Sequence, residues 1–193
     1  MEKWQLKIFT NIPPLETERL ILRKMSLADA DDVYEYSRDP RVSQYLLWYP
    51  HDCDKTTKRY LKYIEKRYRA GTFYDWAIVY KENNKMIGTC GFTCLDTENN
   101  RGEVGYVVNN RYWGMGIATE ALSAVLKFGF ETLDLYRIEA KYMITNSASA
   151  RVMEKSNMKF EGVSRSGIYA KGRYIDVGTY SILRDEYFRS RAF

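Results

Sequence analysis

Gly114 and Gly116 stand one residue apart, between a β-like run ending at Val108 and an apolar helical stripe beginning at Ile117. Residues of these types at this spacing suit the binding of an anion. Glycine lets the backbone curl around an oxyanion with no side chain in the way. The first turn of a helix carries N–H groups without intrahelical acceptors, and the helix dipole adds to their pull on phosphate. The candidate donors are the amides of Gly114, Met115, Gly116, Ile117, Ala118 and Thr119, with the Thr119 hydroxyl beside them and Trp113 just before. The segment predicts a site for a phosphorylated cofactor. It is not a Rossmann fingerprint: Thr119 stands at the third glycine position, and no acidic residue follows at the right place. It is not a Walker loop either, since no G-K-[ST] is present.

The elements around it can be read from periodicity. Arg19–Lys24 alternates as a strand would, and Ser26 with Asp29 forms a capping-box pattern for a helix reaching about Tyr36. A short helix is expected over Arg41–Trp48 and a longer one over Asp54–Arg69, ended by Gly71. Phe73–Tyr80, Met86–Leu95 and Gly102–Val108 read as three strands joined by polar turns. A helix follows the glycines, then a strand over Leu135–Ile144, a helix from Asn146 to about Lys155, and strands over Phe160–Ser166 and Tyr174–Leu183. The order is neither strictly alternating nor all-β, so the fold class is α/β (α+β), a mixed twisted sheet with helices on both faces. Residues 1–14 read as an N-terminal extension, 15–187 as a single domain and 188–193 as a tail, the polar stretch from Arg184 being expected to be mobile.

Composition bounds the function. The chain has 193 residues, 45% hydrophobic and 28% charged, which suits a packed core. No apolar run is long enough to span a bilayer and Met1–Pro14 has no signal-peptide core, so a cytoplasmic protein with no membrane partner is expected. Cys53, Cys90 and Cys94 with the single His51 give neither a disulfide framework nor a zinc pattern; no metal is expected, and the cysteines read as small buried groups. The net charge of +5 is spread along the chain, so no direct nucleic-acid binding is expected.

Four segments in order resemble the GCN5-related N-acetyltransferases (GNAT), and within them the RimJ/RimL-type ribosomal-protein N-terminal acetyltransferases. They are LETERLILRKM (Leu15–Met25), GEVGYVV (Gly102–Val108), YWGMGIATEA (Tyr112–Ala121) and NSASARVMEKSNMKFEG (Asn146–Gly162). The resemblance covers about Leu15 to Leu183. It implies a mostly antiparallel sheet of about six to seven strands, with a splay between the central strands, here Gly102–Val108 and Leu135–Ile144. It implies acetyl-CoA as cosubstrate, its diphosphate on Trp113–Thr119 and its pantetheine beside Tyr106, Val107 and Val108, where a bulge would aim an N–H at the thioester carbonyl. Trp113 replaces the Gln or Arg common in relatives; Arg111 fits that position in another register.

The same resemblance gives roles to further residues. Glu103 alternates with Gly105 and Val107 and is the base candidate, taking the ammonium proton through a water. Asn146 is the helix N-cap and a pantetheine contact, and Ser149 is the candidate for protonating the sulfur or hydrogen-bonding to it, because Met153 occupies the place of the tyrosine acid of other relatives. Asn157 replaces a helix-ending glycine and tolerates the left-handed conformation required there. Tyr34, Tyr36, Tyr45, Trp48 and Tyr49 lie where the family walls its acceptor site, with Asp52, Asp54 and Glu65 as charges for a cationic acceptor. The expected activity is direct acetyl transfer to a primary amine in a ternary complex. A protein N-terminus, a polyamine, an amino acid and an antibiotic remain open as acceptors, as do a non-catalytic acyl-CoA sensor and a nucleic-acid-associated protein recruited by positive charge. An exposed C-terminal strand pair leaves room for a homodimer.

Overall fold

A computed structural model describes residues 8–190. Among them, eight strands form one mixed sheet in the order β1-β2-β3-β4-β5-β6-β8-β7. They are β1 (Leu15–Glu16), β2 (Leu20–Arg23), β3 (Tyr74–Tyr80), β4 (Lys85–Asp96), β5 (Arg101–Val108), β6 (Arg137–Met143), β7 (Lys159–Ala170) and β8 (Arg173–Leu183). The six helices are α1 (Ala30–Ser37), α2 (Pro40–Ser43), α3 (Asp54–Arg69), α4 (Ile117–Glu131), α5 (Ser147–Lys155) and α6 (Arg184–Arg189). The β5–β6 ladder is parallel; β1–β2, β2–β3, β6–β8 and β7–β8 are antiparallel. No helix among the described residues is long and apolar enough to cross a membrane.

The chain divides into two compact units, and β4, β5 and α4 each run through both. One unit holds residues 8–91 and Tyr106–Val125. Leu20 and Leu22 alternate inward from β2, and α3 buries Thr57, Leu61, Ile64 and Tyr68 on one stripe. Trp76 on β3 is fully buried, and its indole N–H donates to Pro13 O at 2.7 Å. The expected capping box is present: Ser26 N donates to Asp29 Oδ2 at 2.8 Å, and a 3-10 turn leads into α1.

The other unit holds Phe92–Gly105 and residues 126–190. Its core is built on Phe130, Leu133, Leu135, Ile138, Ala140, Met153 and Ile182, all nearly inaccessible. Asn157 has φ +61, as a helix-ending residue in the left-handed region, and Met158 N closes the end of α5 on Met153 O at 3.1 Å.

Four expectations are adjusted. The two-residue β1 adds an eighth strand, too short for a periodicity reading. The helix expected over Arg41–Trp48 spans only Pro40–Ser43, because Leu47 and Tyr49 stay exposed and there is no continuous apolar face to bury. Of the expected N-terminal extension, Met1–Lys7 lies outside the described residues, and Phe9 is fully buried, its ring 4.6 Å from that of Tyr74. Of the polar stretch from Arg184, Arg184–Arg189 is a helix and residues 191–193 lie outside the described residues: Tyr187 is buried and stacks on Phe130 at 4.7 Å, its hydroxyl donating to Glu131.

Candidate functional site

The glycine loop has the geometry that anion binding requires. Gly114 and Gly116 have φ of +78° and +77°, a region closed to most side chains. A Cβ on Gly114 would meet nothing within 4 Å, and one on Gly116 would meet only the Arg19 guanidinium at 3.5 Å. The loop therefore opens outward at both glycines. The first helical bond after the loop is Glu120 N to Gly116 O at 3.0 Å, so the amides of Ile117, Ala118 and Thr119 form the first turn, whose N–H groups have no intrahelical acceptor. Ile117 is buried and anchors the turn, while Ala118 and Thr119 are half-buried.

Side chains from distant sequence hold this loop. Arg19 Nη1 donates to Met115 O at 2.8 Å, its Nε donates to Glu120 Oε2 at 2.7 Å, and its backbone N–H reaches Glu120 Oε1 at 2.9 Å. Thr17 Oγ1 adds a bond to Glu120 Oε1 at 2.6 Å. Burial works against the charge on Glu120, but the bonds from Thr17 and Arg19 outweigh it and hold its pKa below the usual carboxylate range. Trp113 is 52% exposed, and its indole N–H donates to Val108 O at 2.7 Å, fastening the loop to the end of β5. Asn109 is buried; its backbone N–H donates to Ile87 O, and its side chain bridges Arg111 N and Glu35. Gly88 on β4 lets Val107 come close: a Cβ there would lie 2.1 Å from Val107 O.

Along β5, pairing with β6 runs from Arg101↔Arg137 to Val104↔Ala140, and the register includes no residue from Gly105 to Val108. Tyr106, Val107 and Val108 lie on that stretch.

Glu103 is half-buried on β5 and heavily engaged. Thr93 Oγ1 donates to its Oε1 at 3.1 Å, and Lys141 on β6 pairs with its Oε2. Lys141 also lies 3.5 Å from Glu139, and its pKa is raised chiefly by the bond to Glu103. Asn146 caps α5, its Oδ1 accepting from Ser149 N at 3.2 Å. Ser149 is half-buried one turn into the helix, and Met153 is buried behind it.

The expected acceptor wall is mixed. Tyr36 is core rather than wall, and burial pushes its hydroxyl pKa well up. Tyr49 is 67% exposed, and Trp48 packs on the ring of His51 at 5.6 Å. Asp52 accepts from Thr56, Asp54 pairs with Lys58, and Glu65 accepts from Leu27 N. The three cysteines are free; Cys90 is buried, but Cys94 is exposed rather than a buried small group.

Sequence reasoning missed Arg19, Glu120, Thr93 and Lys141. Arg19 and Glu120 lie 101 positions apart, Glu103 and Lys141 38 apart, and no local pattern joins either pair.

Comparison with known proteins bears on this geometry. A family model described as an acetyltransferase (GNAT) domain matches residues 19–159. An N-acetyltransferase of uncharacterised specificity, p20 of Bacillus licheniformis, is 39% identical over 173 residues, covering 90% of this chain and 97% of that protein. The [ribosomal protein uS5]-alanine N-acetyltransferase of Escherichia coli K12 is 24% identical, covering 86% of this chain and 90% of that protein. A crystal structure of a GNAT-family acetyltransferase from Bacillus anthracis superposes with a TM-score of 0.81 at 29% identity, covering 90% of this chain and all of that one.

Proposed function

This chain belongs to the GNAT acetyltransferase family, and from that premise we propose that it transfers the acetyl group of acetyl-CoA directly to the N-terminal amine of a protein. The observation that carries the reading is the loop at Gly114–Thr119, where two left-handed glycines open onto the first turn of α4. A diphosphate there would accept hydrogen bonds from the amides of Gly114 to Thr119, aided by the dipole of a 15-residue helix. No charged side chain is needed at Trp113, whose indole N–H already holds the loop to Val108. The thioester arm would run beside Tyr106, Val107 and Val108, the part of β5 outside the β6 register. Asn146 would hold the arm through its amide N–H₂, because its Oδ1 is occupied in capping.

In the transfer, the amine nitrogen attacks the thioester carbonyl carbon, the carbon–sulfur bond breaks, and the sulfur leaves as a thiol. Two protons move. Glu103 takes the ammonium proton through a water before attack; after the carbon–nitrogen bond forms, the nitrogen gives up a second proton, which passes through the Ser149 hydroxyl to the departing sulfur. Glu103 works from within an ion pair with Lys141, which fixes the carboxylate's place.

The choice of a protein amine is supported by the relative named for acetylating a ribosomal-protein alanine. The test is thiol release from acetyl-CoA with a panel of peptide N-termini, polyamines, amino acids and aminoglycosides. The expected result is turnover on α-amines of peptides above the small molecules. Turnover on polyamines or antibiotics alone would overturn the acceptor, and binding of acetyl-CoA with no turnover on any amine would overturn the catalytic reading.

A further inference from the structure

Helix α3 gathers cations that are scattered in sequence onto one face. Lys55, Lys58, Arg59, Lys62, Lys66 and Arg69 recur at three- and four-residue spacing, and all six are exposed. On a helical wheel they fall within about 100° of arc. The opposite stripe, Thr57, Leu61, Ile64 and Tyr68, is buried, so the helix cannot rotate the charges away. Among the described residues, Lys58 is the one member of the stripe with an ion-pair partner, Asp54 at 2.9 Å. Lys55, Lys58, Arg59, Lys62 and Lys66 line a shallow groove with Tyr63, which is 53% exposed. Like charges at this spacing destabilise an isolated helix by roughly 0.2–0.5 kcal/mol per pair, so the stripe works against the element that carries it.

We propose that this face of α3 docks on the phosphate backbone of a nucleic-acid duplex. Lys55 to Arg69 spans roughly 21 Å of helix axis. A duplex carries one phosphate charge per about 1.7 Å of its axis, about twelve over that length from both strands, and roughly half of them face any one side, matching six cations. An extended acidic peptide, at ~3.3 Å per residue with alternate side chains facing away, presents only about three carboxylates in the same span. Contacts from these cations to phosphates carry no sequence information, so docking on the backbone reads charge density and not sequence. RNA and DNA duplexes should therefore bind alike. The surface is separate from acetyl transfer and does not depend on it.

The experiment is fluorescence anisotropy of the full-length protein, without acetyl-CoA, against labelled RNA and DNA duplexes of about 20 base pairs between ~50 and ~200 mM salt. The expected slope of log affinity on log salt is about −4.5, from the stripe's five cations other than the paired Lys58 at −0.9 each. Lys62→Glu with Lys66→Glu should weaken binding by roughly tenfold or more and flatten the slope by about two. Arg173→Glu, an exposed basic change on β8, should leave both unchanged. Far-ultraviolet circular dichroism and acetyl-CoA affinity of the double variant should match the parent protein. Absence of binding at the lowest salt, a slope untouched by the double variant, or displacement by polyglutamate as effective as displacement by duplex would overturn the proposal.

Discussion

Arg19 and Glu120 are joined by two hydrogen bonds, one from the guanidinium Nε at 2.7 Å and one from the Arg19 backbone N–H at 2.9 Å. The same guanidinium donates to Met115 O, so one side chain ties the glycine loop to the first turn of α4. Arg19→Ala should leave the fold intact and raise the Kd for acetyl-CoA by roughly tenfold, since a charge-assisted network worth about 1.5–3 kcal/mol is lost and the loop must be ordered on binding. Isothermal titration reads this directly. An unchanged Kd would show that the loop holds its shape without the clamp.

The carboxylate of Glu103 shares its charge with Lys141 and accepts from Thr93. Glu103→Gln should lower kcat by roughly a hundredfold, the lower end for general-base catalysis, with acetyl-CoA affinity unchanged. Adding Lys141→Met to that variant should cost little more, because the two side chains act as one unit. Steady-state kinetics of the four proteins closes the cycle. A full kcat in Glu103→Gln would remove the base assignment.

Asp75 on β3 carries a pKa pushed up to about 7, because burial disfavours its charge more than the bonds from Thr89 and the Trp76 N–H restore it. A Cβ on Gly91 would come within 2.8 Å of its carboxyl, so β4 packs closely over it. The unfolded chain loses this proton near 3.8 and the folded one near 7, so between those values the folded state binds more protons. The contribution of Asp75 to stability is therefore greatest below the lower value and declines as pH rises through the window. Thermal melts from pH 4 to 8 should show that decline, and Asp75→Asn should flatten it. An equal slope in both proteins would contradict the protonated carboxyl.

Phe9 anchors the start of the described chain in the core, edge-on to Tyr74 and Trp76. Phe9→Ala should cost about 3–5 kcal/mol, the usual range for a buried aromatic. Urea denaturation measures it. A loss near zero would mean that this segment is not part of the cooperative core.

The left-handed glycine turn ahead of α4 was legible because its determinants are local: a strand, two glycines and a helix stripe in one stretch, each with its own physical signature. The Asn146 cap and the left-handed Asn157 were legible for the same reason. Arg19 was not, since its partners lie near position 120 and nothing in a strand pattern says where an outward arginine will reach. Phe9 was read as part of an extension because one buried aromatic has no period. The cations of α3 looked scattered along the sequence, and only the helical turn of 3.6 residues brings them to one side. The proposed roles of Glu103 and Ser149 rest on resemblance, while the Lys141 partner of Glu103 comes from strand register, which the sequence does not display.

A diphosphate held by the amides from Gly114 to Thr119 must change their surroundings when it binds. Amide chemical-shift titration of the isotope-labelled protein tests it, with coenzyme A in one arm and acetyl-pantetheine, which lacks the diphosphate, in the other. Large shifts are expected at Gly114, Gly116, Ile117, Ala118 and Thr119 with coenzyme A, and little movement there with acetyl-pantetheine. Coenzyme A that binds while leaving these amides in place would contradict it.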